Sequence, residues 1–188
     1  MTRLEVVVTS VEDAIAALEG GADSLEIVMD YESDGLTPPL WMVREILDEM
    51  DNDTEAHVIL RPHSDGFVYT PYEIDSILHD ADMFAAYSVD GVVFGAHTAA
   101  GVFDFDLTRR VMSAAAGKRL TTHRALDTCT DPHGALKTLI DSGITRVLTS
   151  GAAPDVEQGR ETLRQWVTQY GKVAQFVASG AIKLESAA

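Results

Sequence analysis

Short apolar runs alternate along the chain with longer segments in which apolar residues recur every three or four positions. Runs such as Leu4–Thr9 and Ser24–Met29 have the length and composition of buried strands. The segment Val11–Leu18 has helical spacing, Ser10 is a suitable N-cap, and the glycine pair that follows would end the helix. The pattern therefore predicts a regular alternation of strands and helices.

Seven strands and six intervening helices are predicted in this way. The predicted strands are Leu4–Thr9, Ser24–Met29, His57–Arg61, Gly91–Phe94, Arg119–Arg124, Arg146–Ser150 and Lys172–Ala178. The predicted helices are Val11–Leu18, Leu40–Met50, Pro71–Tyr87, Asp106–Ala116, Pro132–Ser142 and Val156–Tyr170. Strict alternation with short connections indicates a parallel sheet, because parallel neighbours need a crossover between them.

The predicted fold is of the α/β class, a TIM-type β/α barrel that is incomplete, with about seven strands and without the eighth βα unit. An open doubly wound sheet is the alternative. The lack of a G-x-G-x-x-G motif after the first strand argues against that alternative and against a nucleotide cofactor. We expect a single domain over residues 1–182 and a short tail at 183–188. Seven strands would leave a seam with unpaired edges, which favours a homo-oligomer.

Polar and charged residues recur on one face of the predicted strands. Because successive side chains point to opposite faces of a strand, parity separates this face from the apolar one that should meet the helices. The polar residues expected to face the barrel interior are Glu5, Glu26, Arg61, His123 and Gln175. Buried carboxylates need partners, and Arg61 and Arg124 are the natural ones for Glu5 and Glu26.

Functional groups of β/α barrels lie at the carboxyl ends of the strands. The residues that meet this criterion are Arg61, His63, His97, His123, Arg124, Asp127 and Thr149. Thr149 is followed by Ser150 and Gly151, which could open a loop that binds phosphate. These positions are the first candidates for a site.

The charge balance restricts the possible partners. Asp and Glu number 30 against 14 Lys and Arg, so the formal net charge is −16. A surface of this kind repels nucleic acid and anionic membranes. No apolar stretch approaches the roughly 20 residues that span a bilayer, and no leader-like segment precedes Leu4. We therefore expect a cytoplasmic protein without nucleic-acid or membrane partners.

Several motifs resemble the CutC family of copper homeostasis proteins over Leu4 to about Ile182. The strongest is T-H-R-A-L-D at 122–127, which is similar to F-H-R-A-F-D in the family. Others are L-E-V at 4–6, E-G-G-A-D-S-L-E at 19–26, G-L-T-P at 35–38, I-L-R-P at 59–62, D-G-V-V-F-G at 90–95 and L-T-S-G at 148–151. The resemblance implies a β/α barrel, a cytoplasmic location, oligomerisation and a link to copper handling.

The sequence departs from the family pattern in three places that bear on copper binding and on the barrel. Val7 and Val28 stand where the family has cysteines, and Cys129 is the only cysteine of the chain. Because Cu(I) prefers thiolate ligands, Cys129 is the one candidate soft ligand for copper, with His63 and His123 as further candidates. The family's R-P-R is R-P-H at 61–63, and its last helix, eighth strand and final helix are not expected here.

Two functions remain open on this basis, together with a vestigial barrel that has neither. The first is a copper homeostasis protein that binds Cu(I) weakly or as an oligomer. The second is a small-molecule enzyme of lyase or isomerase type, with His123 as general acid or base. The candidate catalytic residues are His123, Arg124, Asp127 and Glu26, and the candidate ligand-binding residues, for a small anion in particular, are Glu5, Glu26, Arg61, His63, His123, Arg124 and Thr149. The alternative for these residues is a purely structural role in an internal hydrogen-bond network.

Overall fold

Strands and helices alternate in the computed structural model of the chain, which describes residues 2–51 and 53–182. The strands are β1 (Glu5–Val8), β2 (Ser24–Ile27), β3 (Glu55–Ile59), β4 (Gly91–Val93), β5 (Arg119–Thr122), β6 (Arg146–Thr149) and β7 (Gln175–Ala178). The α-helices are α1 (Val11–Glu19), α2 (Leu40–Glu49), α3 (Pro71–Ala85), α4 (Phe105–Ala114), α5 (Ala125–Thr128), α6 (Pro132–Asp141) and α7 (Arg160–Tyr170). None of these helices is long and apolar enough to cross a membrane.

Every predicted strand and helix is present, but two short elements were not predicted. A 3₁₀ turn at Tyr31–Ser33 follows β2, and the single turn α5 follows β5. Helix α7 also begins four residues later than predicted, after a run of turns at 151–159. The chain reverses there so tightly that a Cβ at Gly159 would lie 1.6 Å from the Ser150 carbonyl oxygen. Only glycine fits this close approach.

The described residues form two compact units. The first consists of Met1–Phe94 and Arg109–Arg119, and the second of Gly95–Thr108 and Leu120–Ala188. The tail at 183–188 lies outside the described residues, and the single domain over 1–182 stays a prediction.

In the first unit the strands β1 to β4 are parallel neighbours in sequence order. The register places Glu26 beside His57 and Val58 beside Val92. The core of the unit lies along these strands, because β2, β3 and β4 are buried along their whole length apart from the start of β3. Near the carboxyl ends of the strands, a buried cluster of Val28, Ile59 and Val93 closes this core.

Local signals fix where the helices of the first unit begin. The hydroxyl of Ser10 accepts a hydrogen bond from the Asp13 amide, which confirms the predicted N-cap of α1. Helix α3 begins with a capping box in which Thr70 and Glu73 each accept from the amide of the other. These bonds hold the loop that follows β3 against the start of α3.

In the second unit β5, β6 and β7 are also parallel neighbours in sequence order. All four residues of β6 are buried. Strand β7 lies at the end of the strand order, so the described residues cover one of its edges only, and Gln175 is exposed. Exposure alone does not show which face of the sheet Gln175 occupies, so its place in the barrel interior stays a prediction. Beside the sheet, the indole of the buried Trp166 donates to His133 Nδ1 over 2.9 Å and joins α7 to α6.

A charged cluster marks the start of β3. Glu55 accepts from Arg3 at 2.8 Å and from Arg119 at 2.9 Å, and it contacts Nε2 of the fully buried His57 at 3.2 Å. Burial alone would raise the pKa of Glu55. The hydrogen bonds from Arg3 and His57 and the charge of Arg119 outweigh burial and lower this pKa from 4.5 to about 2.

We predict that Glu55 stabilises the protein in a pH-dependent way. Since its pKa is lower in the folded protein, its contribution is fully present above about pH 4.5 and is lost as the pH falls towards 2. Glu55→Gln should lower the unfolding free energy by roughly 1 kcal/mol at neutral pH, because the two arginines are partly exposed and their attraction is screened. Thermal unfolding of both proteins across this pH range measures the difference.

The matched control is Glu45→Gln, at an exposed position of α2. Its effect should be small at every pH. A difference between wild type and Glu55→Gln that stays constant from neutral pH to about pH 3 would contradict the prediction.

Candidate functional site

In the first unit Arg61 holds two loops together. Its Nη1 donates to the carbonyl oxygens of Ser33, Asp34 and Gly35, and its Nη2 donates to that of Ser64, over 2.9 to 3.3 Å. The prediction that Arg61 is the counter-ion of Glu5 or Glu26 is therefore wrong. The reason is that carbonyl groups of the segment after β2 occupy Nη1 and a carbonyl group of the loop after β3 occupies Nη2.

His63, another ligand candidate, also has defined partners. Its Nδ1 accepts from the Asp65 amide at 3.1 Å, and its Nε2 lies 3.4 Å from a carboxylate oxygen of Glu73. The ring packs against Tyr69, with centroids 5.3 Å apart. Tyr69 was missed by the sequence analysis, because a tyrosine in a loop carries no pattern that marks it as functional.

Glu5 and Glu26 occupy different environments. Glu5 is half-buried on β1, and one of its carboxylate oxygens accepts from the Ser24 hydroxyl at 2.8 Å. Glu26 is 7% exposed within β2. The first unit thus holds one carboxylate near its surface and one in its core, and the ligand-binding role of both stays a prediction.

In the second unit the buried His123 follows β5. Its Nδ1 accepts the amide of Ala125 at 3.1 Å, so a neutral imidazole carries its proton on Nε2. Nε2 of His97 donates to the Ala125 carbonyl at 2.6 Å. A Cβ at Gly95 would lie 2.9 Å from His123 Nδ1, so glycine is required for the ring to pack there.

Asp127 is the centre of the polar network in this unit. It is 8% exposed, and its carboxylate accepts from the Thr149 hydroxyl, from the amide and hydroxyl of Ser150, and from the Ala152 amide. Nε of Arg124 lies 3.6 Å from the same carboxylate. These contacts tie the turn after β5 to the loop after β6, and they leave Asp127 little capacity to accept a proton from a substrate.

Arg124 is fixed by its neighbours and still reaches solvent. Its Nη2 donates to the Pro154 carbonyl at 2.7 Å and contacts the Ser150 hydroxyl at 3.4 Å. The side chain is 31% exposed, and Nη1 takes no part in these contacts. Arg124 therefore presents a fixed positive charge. Ser150 was named in the sequence analysis only as part of a possible phosphate-binding loop, and its contacts with Asp127 and Arg124 were not predicted.

The loop after β6 does not offer its amides to a phosphate group. The Ser150 and Ala152 amides donate to Asp127, and the Gly151 amide donates to the Thr149 hydroxyl at 2.9 Å. A phosphate cradle needs free amides that point at the anion. The phosphate-binding loop suggested by the sequence is therefore not formed by these three amides.

The residues described here do not fit a preformed copper centre. In residues 2–51 and 53–182 no three His, Cys, Asp or Glu side chains are grouped so that they could hold a metal ion. Cys129 is buried, its Sγ donates to the Leu126 carbonyl at 3.3 Å, and burial raises its pKa. This favours the thiol over the thiolate that Cu(I) requires.

The two valines that stand where the family has cysteines differ from each other in burial. Val28 belongs to the buried cluster with Ile59 and Val93, and it lies 3.2 Å from the position of a Cβ at Gly35. Val7 is 39% exposed on β1. Neither side chain can bind a metal, and Val28 instead contributes to the apolar core.

The alternation of parallel strands and helices, with polar residues at the carboxyl ends of the strands, defines a β/α protein of the TIM-barrel class. A crystal structure from Streptococcus agalactiae, provisionally described as the copper homeostasis protein CutC, agrees with a TM-score of 0.92. The two chains are 19% identical, and the match covers 100% of this chain and 91% of that one. This likeness confirms the predicted barrel fold.

The sequence comparisons identify the family. The profile of the CutC family matches residues 2–188. A CutC family protein of Bacteroides thetaiotaomicron is 39% identical over 167 residues, which is 89% of this chain and 67% of that protein. The CutC family protein of Histophilus somni is 35% identical over 185 residues, or 98% of this chain and 72% of that protein. The chain belongs to the CutC family.

The chain spans about two thirds of the length of these curated relatives. The aligned share of the relative is 64% for a CutC family protein of Bacteroides fragilis, which is 40% identical over 164 residues. The activity and partners of the whole relatives are therefore not carried over to this chain as established properties.

We predict that Asp127→Asn destabilises the protein by about 2–4 kcal/mol. The substitution removes the negative charge of a buried acceptor and turns an amide donor towards groups that already donate. Urea unfolding followed by circular dichroism measures the loss.

The control is Asp141→Asn, because Asp141 is 62% exposed and pairs with Lys137 on the surface of α6. This change should cost less than about 0.5 kcal/mol. If both variants lose the same small amount, the network around Asp127 does not have the structural importance assigned to it.

Proposed function

We propose that this chain acts in copper homeostasis in the cytoplasm, and that it does so by binding a small anionic molecule at Arg124. The proposal rests on the observation that the Arg124 side chain is held in place and is still partly exposed. Asp127, Ser150 and Pro154 fix the guanidinium group, yet 31% of the side chain remains exposed. Because the side chain is already fixed, it loses little further conformational entropy when an anion binds to it.

The local charge of Arg124 supports an anionic ligand. The formal net charge of −16 repels anions in general, so the ligand would depend on the local positive charge of this partly exposed arginine. Part of that charge is offset by Asp127, and Asp155 also interacts electrostatically with Arg124. That carboxylate already accepts four hydrogen bonds, and Nη1 of Arg124 takes no part in the contacts with Asp127, Ser150 or Pro154. An anion can therefore bind Nη1 without displacing an existing partner.

The second candidate function is an enzyme of lyase or isomerase type that uses the same unit. It is favoured by the fixed orientation of His123, whose Nδ1 accepts from the Ala125 amide, so that proton exchange with a substrate would use Nε2. Arg124 would hold the anionic group of the substrate. Asp127 would position Arg124 rather than act as a base, because its carboxylate is saturated with donors.

Direct copper binding by one chain receives less support. The lone thiol of Cys129 is buried and donates a hydrogen bond, and no further metal ligands converge in the described residues. A copper ion held between chains of a homo-oligomer would need ligands from both, and the oligomer itself remains a proposal. We therefore propose that the chain has the copper-related role of its family without binding copper itself, and that its ligand is a small anion.

We predict that inorganic phosphate binds to the wild-type protein and that Arg124→Gln weakens this binding at least tenfold. The loss of one charge-assisted hydrogen bond and of the local charge accounts for this size of effect. Chemical-shift changes in amide NMR spectra during a phosphate titration give both affinities.

Arg164→Gln is the matched control, since Arg164 is exposed on α7. It should bind phosphate like the wild type. Failure of the wild type to bind phosphate saturably, or equal binding by Arg124→Gln, would rule out the proposed site.

We also predict that the reduced protein does not take up one equivalent of Cu(I) in competition with a chromogenic chelator such as bicinchoninate. Cys129→Ser should behave like the wild type in this assay, because the buried thiol does not offer a thiolate. Stoichiometric uptake by the wild type that Cys129→Ser loses would show that copper binds directly and would overturn this part of the proposal.

A further inference from the structure

Arg61 is a buried cation that forms no ion pair with a carboxylate of residues 2–51 or 53–182. It is 5% exposed, and its terminal nitrogens donate to carbonyl oxygens rather than to carboxylates. Its guanidinium carbon lies 5.1 Å from the centre of the Phe67 ring. Among the described residues Nε of Arg61 has no hydrogen-bond partner. Buried charges are normally paired and buried donors normally satisfied, so this side chain lacks both a negative charge and one acceptor.

Tyr69, in the loop that Arg61 begins, has a second unsatisfied polar group. The residue is 8% exposed, and its hydroxyl has no hydrogen-bond partner within residues 2–51 and 53–182. Its ring packs against His63 and, with centroids 6.1 Å apart, against Phe94. Burial raises the pKa of Tyr69 well above its ordinary value, and the charge of Arg61 opposes this only in part. The hydroxyl therefore remains a proton donor.

Arg61 Nε and the Tyr69 hydroxyl both require a hydrogen-bond acceptor. Each can donate one hydrogen bond, and each belongs to the same short loop after β3, at the carboxyl end of a strand where barrels of this class bind ligands. Nη1 and Nη2 of Arg61 are already engaged, so the ligand has one N–H and one O–H donor available. A carboxylate offers one oxygen to each donor and also supplies the missing negative charge.

We propose that Arg61 Nε and the Tyr69 hydroxyl bind the carboxylate of a small organic acid in the first unit. A phosphate group fits less well, because two donors would leave its remaining oxygens without partners in a buried place. The aromatic rings next to the two donors, those of Phe67 and His63, suit the apolar part of such an acid.

Glu73 does not take the place of this ligand. Its carboxylate accepts from the Thr70 amide at 2.6 Å and lies 3.4 Å from His63 Nε2. It has no ion pair with Arg61 within the described residues. A counter-ion for Arg61 is therefore expected from a bound molecule. The alternative is that only solvent lies next to Arg61 and Tyr69.

The test uses Tyr69→Phe, sodium acetate as the probe, and protein labelled with ¹³C at the Cζ atoms of its five tyrosines. Acetate should shift the Tyr69 resonance of the wild type in a saturable way. In Tyr69→Phe the affinity for acetate should fall at least tenfold, as measured by the effect of acetate on the melting temperature. Tyr72→Phe, which removes the hydroxyl of an 86% exposed tyrosine, should bind acetate like the wild type.

Folding does not confuse this test. Because the Tyr69 hydroxyl has no partner in the described residues, its removal should leave the melting temperature without acetate unchanged or higher. A Tyr69 resonance that does not respond to acetate would show that only solvent occupies the place and would overturn the proposal. Equal acetate affinity of wild type and Tyr69→Phe would do the same.

The inference does not depend on the proposed function, and the two can fail separately. Arg124→Gln lies in the second unit and should leave the response of Tyr69 to acetate unchanged. Tyr69→Phe should likewise leave phosphate binding at Arg124 unchanged. If Arg124→Gln abolished the acetate response of Tyr69, the proposal of a separate carboxylate site would be wrong.

Discussion

The arrangement of the second unit depends on the need to satisfy one buried carboxylate. Asp127 lies in α5, the single turn after β5, and its partners are Thr149 at the end of β6 and the loop that follows it. An unsatisfied carboxylate at this depth would cost several kcal/mol, so both segments must stay in place while it is ionised. The same carboxylate forms an ion pair with Arg124 over 3.6 Å, while the Pro154 carbonyl accepts from Nη2. The buried anion and the loop after β6 therefore position this partly exposed cation together.

The two arginines predicted from the sequence as partners of Glu5 and Glu26 have different environments. Arg61 is buried and is held mainly by carbonyl oxygens, which bear only partial negative charges. Arg124 has a carboxylate partner and remains partly exposed. We propose that both bind anions: Arg61 because no described carboxylate pairs with it, and Arg124 because part of its side chain is accessible. Each unit thus has its own reason to bind an anionic group.

Much of the fold could be predicted from the sequence, because apolar periodicity reports which backbone segments are buried. The strand of Ser24 and the helix of Val11 both begin where predicted. The partners of Arg61 could not be predicted, because they are backbone carbonyls of the loops after β2 and β3 that no apolar pattern marks. Asp127 was recognised as a candidate, but its saturation by the loop after β6 required coordinates.

Membership of the CutC family raises the question of what this chain retains of a copper-related role. Val28 now belongs to an apolar cluster, and Cys129 is a buried hydrogen-bond donor, so the chemistry of thiolates is not available at either place. The polar centre built on Asp127 and Arg124 is the one that we propose as the anion site of the family role.

The most direct measurement is a crystal structure of the protein grown in selenate, with an anomalous difference map to locate the anion. The account predicts a selenate ion next to Arg124 Nη1, with Asp127 still bound to the loop after β6. A map in which selenate binds elsewhere on the protein, while Arg124 is contacted by water alone, would contradict it.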